Sequence, residues 1–422
     1  MKKGFLFLLA FIFIAVSCFF CIGIKQGFAE GEKKIILKGV IKGKGSPNFL
    51  EGANWVDVSG NYAYVVSYDD GSLSVFDISD PANPVLSSTV KVQGHTDKDY
   101  GAFSVFVSGS YAYVYDDGGV FLIYDISDPA GAGPVLEGEV AIGPIEDYQA
   151  ADTAWGGVYV EGILAYVVDE VSDGLTVLDV SDKTKPAIIG TISGAGAPNY
   201  LKNPCFVTVN NGFAYIASYS DDALTIIDVE IPKKPTFASV IKGAGAPNYL
   251  DGPDSVFIVN DYAYIASAKD GALSIIDVIN PLSPVFSGYI SGKGKPNYLE
   301  DALDVKVVNN YAFVSGMTDN AISVYDVIDA AKPILVDVIK GSGNPNYMEG
   351  VNIMEISGNY LFAVSAGDSA LLIFDISAFT AGADDVGTTP ESTSADGETG
   401  TIDNGGVSIL RQWLRIHNPN SI

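Results

Sequence analysis

The sequence is poor in cysteine: three residues in 422, of which Cys18 and Cys21 lie inside an apolar N-terminal run. With that run removed on export, Cys205 stands alone, so no intramolecular disulfide can form and cysteine-based metal sites are excluded. Cys205 opens an apolar stretch, which reads as a buried structural thiol. Histidine is limited to His95 and His417, too few to assemble a Ser-His-Asp or Cys-His set. Basic residues are also short, 24 against 51 acidic ones. Without Lys2, Lys3 and Lys25 of the N-terminal segment, 21 basic residues face 51 acidic ones, a balance of about −30. Such a charge repels nucleic acid and anionic lipid surfaces, and it favours cations or partners that carry cationic patches. Helical apolar periodicity is almost absent beyond residue 30, whereas 23 Tyr, 21 Phe, 46 Gly and 20 Pro suit short strands and tight turns.

What is present is a period. Five-residue apolar stretches closed by aspartate recur seven times, from Leu73-Ser74-Val75-Phe76-Asp77 through Asp125, Asp179, Asp228, Asp277 and Asp326 to Asp375. Successive aspartates lie 48, 54, 49, 49, 49 and 49 residues apart, which signals a repeat architecture. Within the unit 254–290, strands are expected at 255–259, 262–267, 273–278 and 284–290, separated by Asn260-Asp261, Lys269-Asp270-Gly271 and Asn280-Pro281. Four short antiparallel strands repeated many times make propeller blades. The third strand is apolar on both faces, as stacked blades require. The repeated aspartate reads as a turn cap for backbone N–H groups.

The ends of the array are complementary. Residues 34–42 match a fourth strand with no first three before it, and 352–376 supply three strands with no fourth. The fold class expected is therefore all-β: a seven-bladed β-propeller of four-stranded antiparallel blades, ring closed by the N-terminal strand completing the last blade. The domain reading is 1–29 signal peptide, 30–380 propeller, 381–406 flexible acidic linker and 407–422 C-terminal tail. The signal reading rests on Lys2 and Lys3, the apolar run Gly4 to Ile24 and the small-residue site Gly27-Phe28-Ala29. The run of about 21 residues also suffices for an uncleaved anchor, and Ala15-Val16-Ser17-Cys18 loosely resembles a lipobox. All three readings put the body outside the cytoplasm: secreted, periplasmic or on the cell surface. In the tail, Val407, Leu410 and Leu414 recur at helical spacing beside Trp413, Arg411 and Arg415, a short tail or a docking helix.

The third-strand repeats, with Asp-Ile-Ser-Asp-Pro and Tyr-Ala-Tyr-Val/Ile, resemble those of the LVIVD-repeat proteins over residues 35–378. The resemblance implies a secreted or surface β-propeller of the bacterial and archaeal kind and no shared catalytic motif. The Gly-His and Trp-Asp signatures of WD40 propellers and the kelch glycine pair are missing.

Five of seven blade junctions carry Gly-x-Gly-x-Pro-Asn-aromatic, starting at Gly43, Gly194, Gly243, Gly292 and Gly341; the junctions at Gly94–Tyr100 and Gly143–Trp155 have diverged. No helix or Gly-Lys-Ser/Thr follows, so a phosphate loop is not indicated. Strand parity puts these loops on one face with the acidic second-to-third turns. The candidate ligand-binding residues are Phe49, Tyr200, Tyr249, Tyr298 and Tyr347 with Asn48, Asn199, Asn248, Asn297 and Asn346. Each aromatic is open to two readings: packing beneath its own loop between blades, or stacking on a sugar or peptide. The candidate metal ligands are Asp69, Asp70, Asp116, Asp117, Asp169 and Asp173, in Gly-containing turns that could gather oxygens for weak Ca²⁺ binding or simply be solvated. No catalytic residue is assigned. The functional expectation is a non-enzymatic extracellular or cell-surface binding or adhesion module for protein or glycan. The alternatives are a carboxylate-based hydrolase or lyase and a purely structural envelope component. No cofactor beyond possible Ca²⁺ is expected, and no nucleic-acid partner.

Overall fold

The computed structural model describes residues 33–92, 101–143 and 155–381; the expected signal peptide (1–29), all but the first residue of the expected linker (381–406), the expected tail (407–422) and most of both diverged junctions lie outside them. All the strands among the described residues fall into seven four-stranded antiparallel sheets. Blades one to six span 53–91, 102–141, 156–193, 204–242, 253–291 and 302–340, and blade seven joins 351–375 to 36–42. Each first strand packs against the first strands of both neighbouring blades, so seven of them surround a central channel. In the 253–291 blade the observed strands are Pro253–Val259, Tyr262–Ser267, Ala272–Asp277 and Val285–Ser291, shifted from the expected bounds by one or two residues.

Burial follows position in the blade. Second and third strands such as Tyr262–Ser267 and Ala272–Asp277 are buried along nearly their whole length, because neighbouring blades cover both faces of the sheet. Fourth strands such as Ile334–Lys340 stay half-exposed at the perimeter. The aspartate that ends each third strand accepts the backbone N–H two residues on in all seven blades, from Asp77 with Ser79 at 2.8 Å to Asp375 with Ser377 at 2.9 Å. Hydrogen bonds from the side chain and then the backbone N–H of Ser79, Ser181 and Ser377 hold Asp77, Asp179 and Asp375 below the usual carboxylate range.

Neighbouring blades also meet at one residue of each fourth strand, beside a β-bulge, and in six of the seven blades that residue is small. A Cβ on Gly39, Gly138, Gly190 or Gly288 would lie 2.0 to 2.3 Å from a backbone oxygen in the next blade, those of Pro81, Lys183, Pro232 and Ala330. In blades one and four the position is serine, and its hydroxyl donates to the equivalent carbonyl: Ser88 to Pro129 at 2.8 Å and Ser239 to Pro281 at 2.5 Å. Blade six differs because the chain is discontinuous at the turn it faces. There Asp337 Oδ2 accepts the Ile35 N–H at 2.7 Å.

The strand Ile36–Lys42 pairs antiparallel with Ala370–Asp375, from Ile36 opposite Asp375 to Lys42 opposite Ala370. The ring closes through this pairing. A one-turn helix, α1 (Ser377–Thr380), follows; its Phe379 is buried edge-on against Tyr311 and Phe313, with centroids at 5.2 and 5.4 Å. No helix among the described residues is long and apolar enough to cross a membrane.

Candidate functional site

The five repeated junction loops share one construction. The asparagine amide donates back to the backbone oxygen six residues earlier, Asn48 to Lys42, Asn199 to Ser193, Asn248 to Lys242, Asn297 to Ser291 and Asn346 to Lys340, at 2.7 to 2.8 Å. An aspartate from the second-to-third turn accepts two loop N–H groups: Asp70 those of Gly45 and Glu51, Asp221 those of Gly196 and Lys202, Asp270 those of Gly245 and Asp251, Asp319 those of Gly294 and Glu300, Asp368 those of Gly343 and Glu349. The junction loops and the acidic turns therefore do share a face. Much of that acidity is engaged in holding the loops.

The aromatic ends each loop with a left-handed backbone, φ 50 to 52° at Phe49, Tyr200, Tyr249, Tyr298 and Tyr347. All five side chains are half-buried. Their rings lie on the fourth strand of the blade they introduce, and Tyr347 also packs against the apolar cluster that blades six and seven share. A lysine at the end of that strand covers four of them: Lys42 over Tyr347 at 4.1 Å, Lys340 over Tyr298 at 4.1 Å, Lys242 over Tyr200 at 4.4 Å and Lys91 over Phe49 at 6.0 Å. Blade five has Ser291 at the lysine position, and Tyr249 stacks on Tyr289 instead, 3.8 Å between centroids. The aromatics thus lie along the perimeter, one in each of five blades, and do not converge on a single pocket.

The candidate metal ligands belong to three blades. Asp70 caps its junction loop, Asp116 Oδ1 accepts the Val120 N–H at 2.8 Å, and Asp117 accepts the Tyr68 hydroxyl at 2.9 Å. Asp169 accepts the Ser172 N–H at 2.8 Å and the Ser172 hydroxyl, and Asp173 accepts the Asn203 N–H at 2.9 Å. Asp69 is exposed. Among the described residues no three metal-ligating side chains converge.

The channel holds the residues that sequence reasoning passed over. At one register of the first strand stand Asp57, Phe106, Tyr159, Thr208, Phe257, Lys306 and Glu355, each opposite an aromatic of the second strand: Tyr64, Tyr113, Tyr166, Tyr215, Tyr264, Phe313 and Phe362. The outer partner is constant in kind and the inner residue varies from blade to blade. That contrast was available in the sequence at the same period as the aspartates, but only the ring shows that these seven positions face one axis.

Charge collects on one side of this ring. Lys306 Nζ lies 3.0 Å from Glu355 Oε2. Burial works against the Lys306 charge, yet Glu355 and then Asp304 hold its pKa above the ordinary ammonium value. Burial, then the Glu355 carboxylate, pushes Asp57 up to about 7, although its oxygens accept the Val58 and Val107 N–H groups at 2.7 and 2.6 Å. Trp55 of blade one stacks on Phe206 of blade four, centroids 5.3 Å apart. These blades are not neighbours, so the pair bridges the channel and narrows it with apolar rings.

At the junction-loop mouth, Asn352 donates to Asn54 at 2.7 Å and Asn54 to the Phe103 carbonyl at 2.9 Å, linking blades seven, one and two. Phe103 stacks on Trp155 at 5.8 Å. Cys205 is buried, as expected, and burial raises its thiol pKa well above the ordinary value.

Comparison with known proteins agrees with this architecture. No curated protein matches the sequence. Solved structures with a similar fold include BamB from Moraxella catarrhalis (13% identity, TM-score 0.53, 82% of this chain and 94% of that one). A functionally unknown protein from Desulfotomaculum acetoxidans is also similar (13% identity, TM-score 0.55, 75% and 93%), as is a chain of the Mitotic Checkpoint Complex (13% identity, TM-score 0.57, 81% and 92%). At such identities the likeness is one of fold alone. The family model described as LVIVD repeat matches residues 52–92, 101–141, 155–193, 203–241, 253–291 and 352–381, six of the seven blades, and the chain belongs to the LVIVD-repeat family.

Proposed function

We propose that this protein is a non-enzymatic binding module, exported from the cytoplasm, whose junction-loop face engages a protein or glycan partner. The reading rests on one observation: Phe49, Tyr200, Tyr249, Tyr298 and Tyr347 present the same half-exposed aromatic on the same acidic face in five blades. Repetition at one height suits several weak contacts that gain strength together. A hydrolase would instead gather its distinctive groups at one place, with carboxylates free to reach a substrate.

The test is retention of the full chain on immobilised glycans and extracellular proteins, with and without the double substitution Tyr200→Ala/Tyr298→Ala. Loss of retention with cooperative melting preserved is expected. Unchanged retention by the double variant would remove this face from the function.

A further inference from the structure

Two carboxylate oxygens at and just below the junction-loop mouth of the channel have no hydrogen-bond partner among the described residues. Asp254 sits at the bulge that opens the first strand of blade five, and Asp304 lies deeper, in the first strand of blade six. Among the described residues Asp254 Oδ2 and Asp304 Oδ1 are both shielded from solvent and find no donor, and Asp304 is fully buried. Buried polar atoms are nearly always paired in folded proteins, because leaving one bare forfeits its hydration without replacement. Burial raises the pKa of Asp254 to about 7, and Asp304 and Asp301 add to the rise.

The opposite side of the mouth is aromatic. Trp155, 40% exposed, stacks on Phe103, and blade two, which carries Phe103, stands three blades from blade five around a ring of seven. Near Asp254 the protein already holds one cation in this manner: Lys269 Nζ lies 4.2 Å from the Tyr219 ring centroid and 3.7 Å from the Asp251 carboxylate.

We propose that the mouth is a binding site for a cationic side chain, a guanidinium or ammonium presented by a partner protein, with Asp254 as counter-ion and the Trp155–Phe103 stack as aromatic wall. This rests on the binding-module reading and narrows it. A guanidinium offers several N–H donors in a planar fork, suited to carboxylate oxygens and to an aromatic face at once. A neutral sugar would leave the carboxylate charge uncompensated. A metal ion would need more converging ligands than the described residues supply.

The experiment titrates the full chain with end-blocked tri-arginine, tri-lysine, tri-glutamine and Ca²⁺ alone, read by calorimetry and tryptophan fluorescence. Tri-arginine is expected to bind. Asp254→Asn should weaken it tenfold or more and Trp155→Ala several-fold, while Asp261→Asn, in an exposed turn on the opposite face, should leave it unchanged. Asp254→Asn removes an unpaired buried charge, so it should melt at or above the wild-type temperature at pH 7.5, which separates lost binding from lost folding. Equal tri-arginine affinity in Asp254→Asn and wild type would reduce the effect to diffuse attraction and overturn the site. Equal binding of tri-glutamine, or Asp254-dependent displacement by Ca²⁺, would overturn it as well. If Tyr200→Ala/Tyr298→Ala abolishes partner retention while Asp254→Asn leaves tri-arginine binding intact, the mouth falls and the perimeter reading stands; the converse result separates them the other way.

Discussion

Asp337 Oδ2 accepts the Ile35 N–H at 2.7 Å, tying blade six to the strand that completes blade seven. Elsewhere this fourth-strand position is glycine or serine facing a carbonyl. At the seam the facing group is a donor, and the residue is an acceptor.

Two changes at the seam test how much closure contributes. Asp337→Ala strips the partner from the N–H of Ile35, whose residue is 5% exposed, and should cost about 1–3 kcal/mol in denaturant unfolding. Deleting residues 33–42 removes the whole outer strand and leaves Ala370–Asp375 as an open edge; lower melting temperature and aggregation are expected. A truncated protein that melts cooperatively at the wild-type temperature would show that the terminal strand is dispensable.

The junction loops depend on the turn aspartates more than on the aromatics. Asp319 Oδ2 accepts two N–H groups, from Gly294 and Glu300, each at 2.8 Å. Asp319→Ala should therefore destabilise by about 1–3 kcal/mol. Asp261→Asn, at an exposed turn whose left-handed backbone asparagine also adopts, should stay within about 0.5 kcal/mol of wild type. Equal losses in the two variants would mean that the loop bonds contribute nothing net.

Stability should fall as pH rises from about 4 to above 7. Burial is the first cause that pushes Asp57, Asp116 and Asp254 up to about 7, whereas unfolded aspartate titrates near 3.9. Between those values the folded state binds more protons than the unfolded one, so unfolding free energy declines with pH. Below that window the sign reverses, because Asp77, Asp179 and Asp375 are held low by their turn bonds and lose that contribution on protonation. A melting temperature that peaks near pH 4–5 and drops by pH 8 is expected, with a shallower drop in Asp254→Asn. A flat profile from pH 5 to 8 would contradict the buried-carboxylate assignments.

The sequence by itself determined the blade and its number. Period-2 apolar strands, Asn, Gly and Asp turns, and an aspartate every 48 to 54 residues are local signals, written where the strand or turn forms. The seam was legible too, because a lone fourth strand at one end and a missing one at the other are visible as a deficit in the repeat. Tertiary structure alone decided which residues meet. Trp55 and Phe206 are 151 residues apart in sequence and touch only because seven first strands surround one axis. Lys306 reaches Glu355, and Asp254 lies near Asp304, for the same reason. The loop aromatics were legible as a repeated set on one face, whereas ring geometry alone brings together the first-strand residues that share no motif. Repetition encodes the scaffold, which is local; the channel is made by closure, which no single repeat contains.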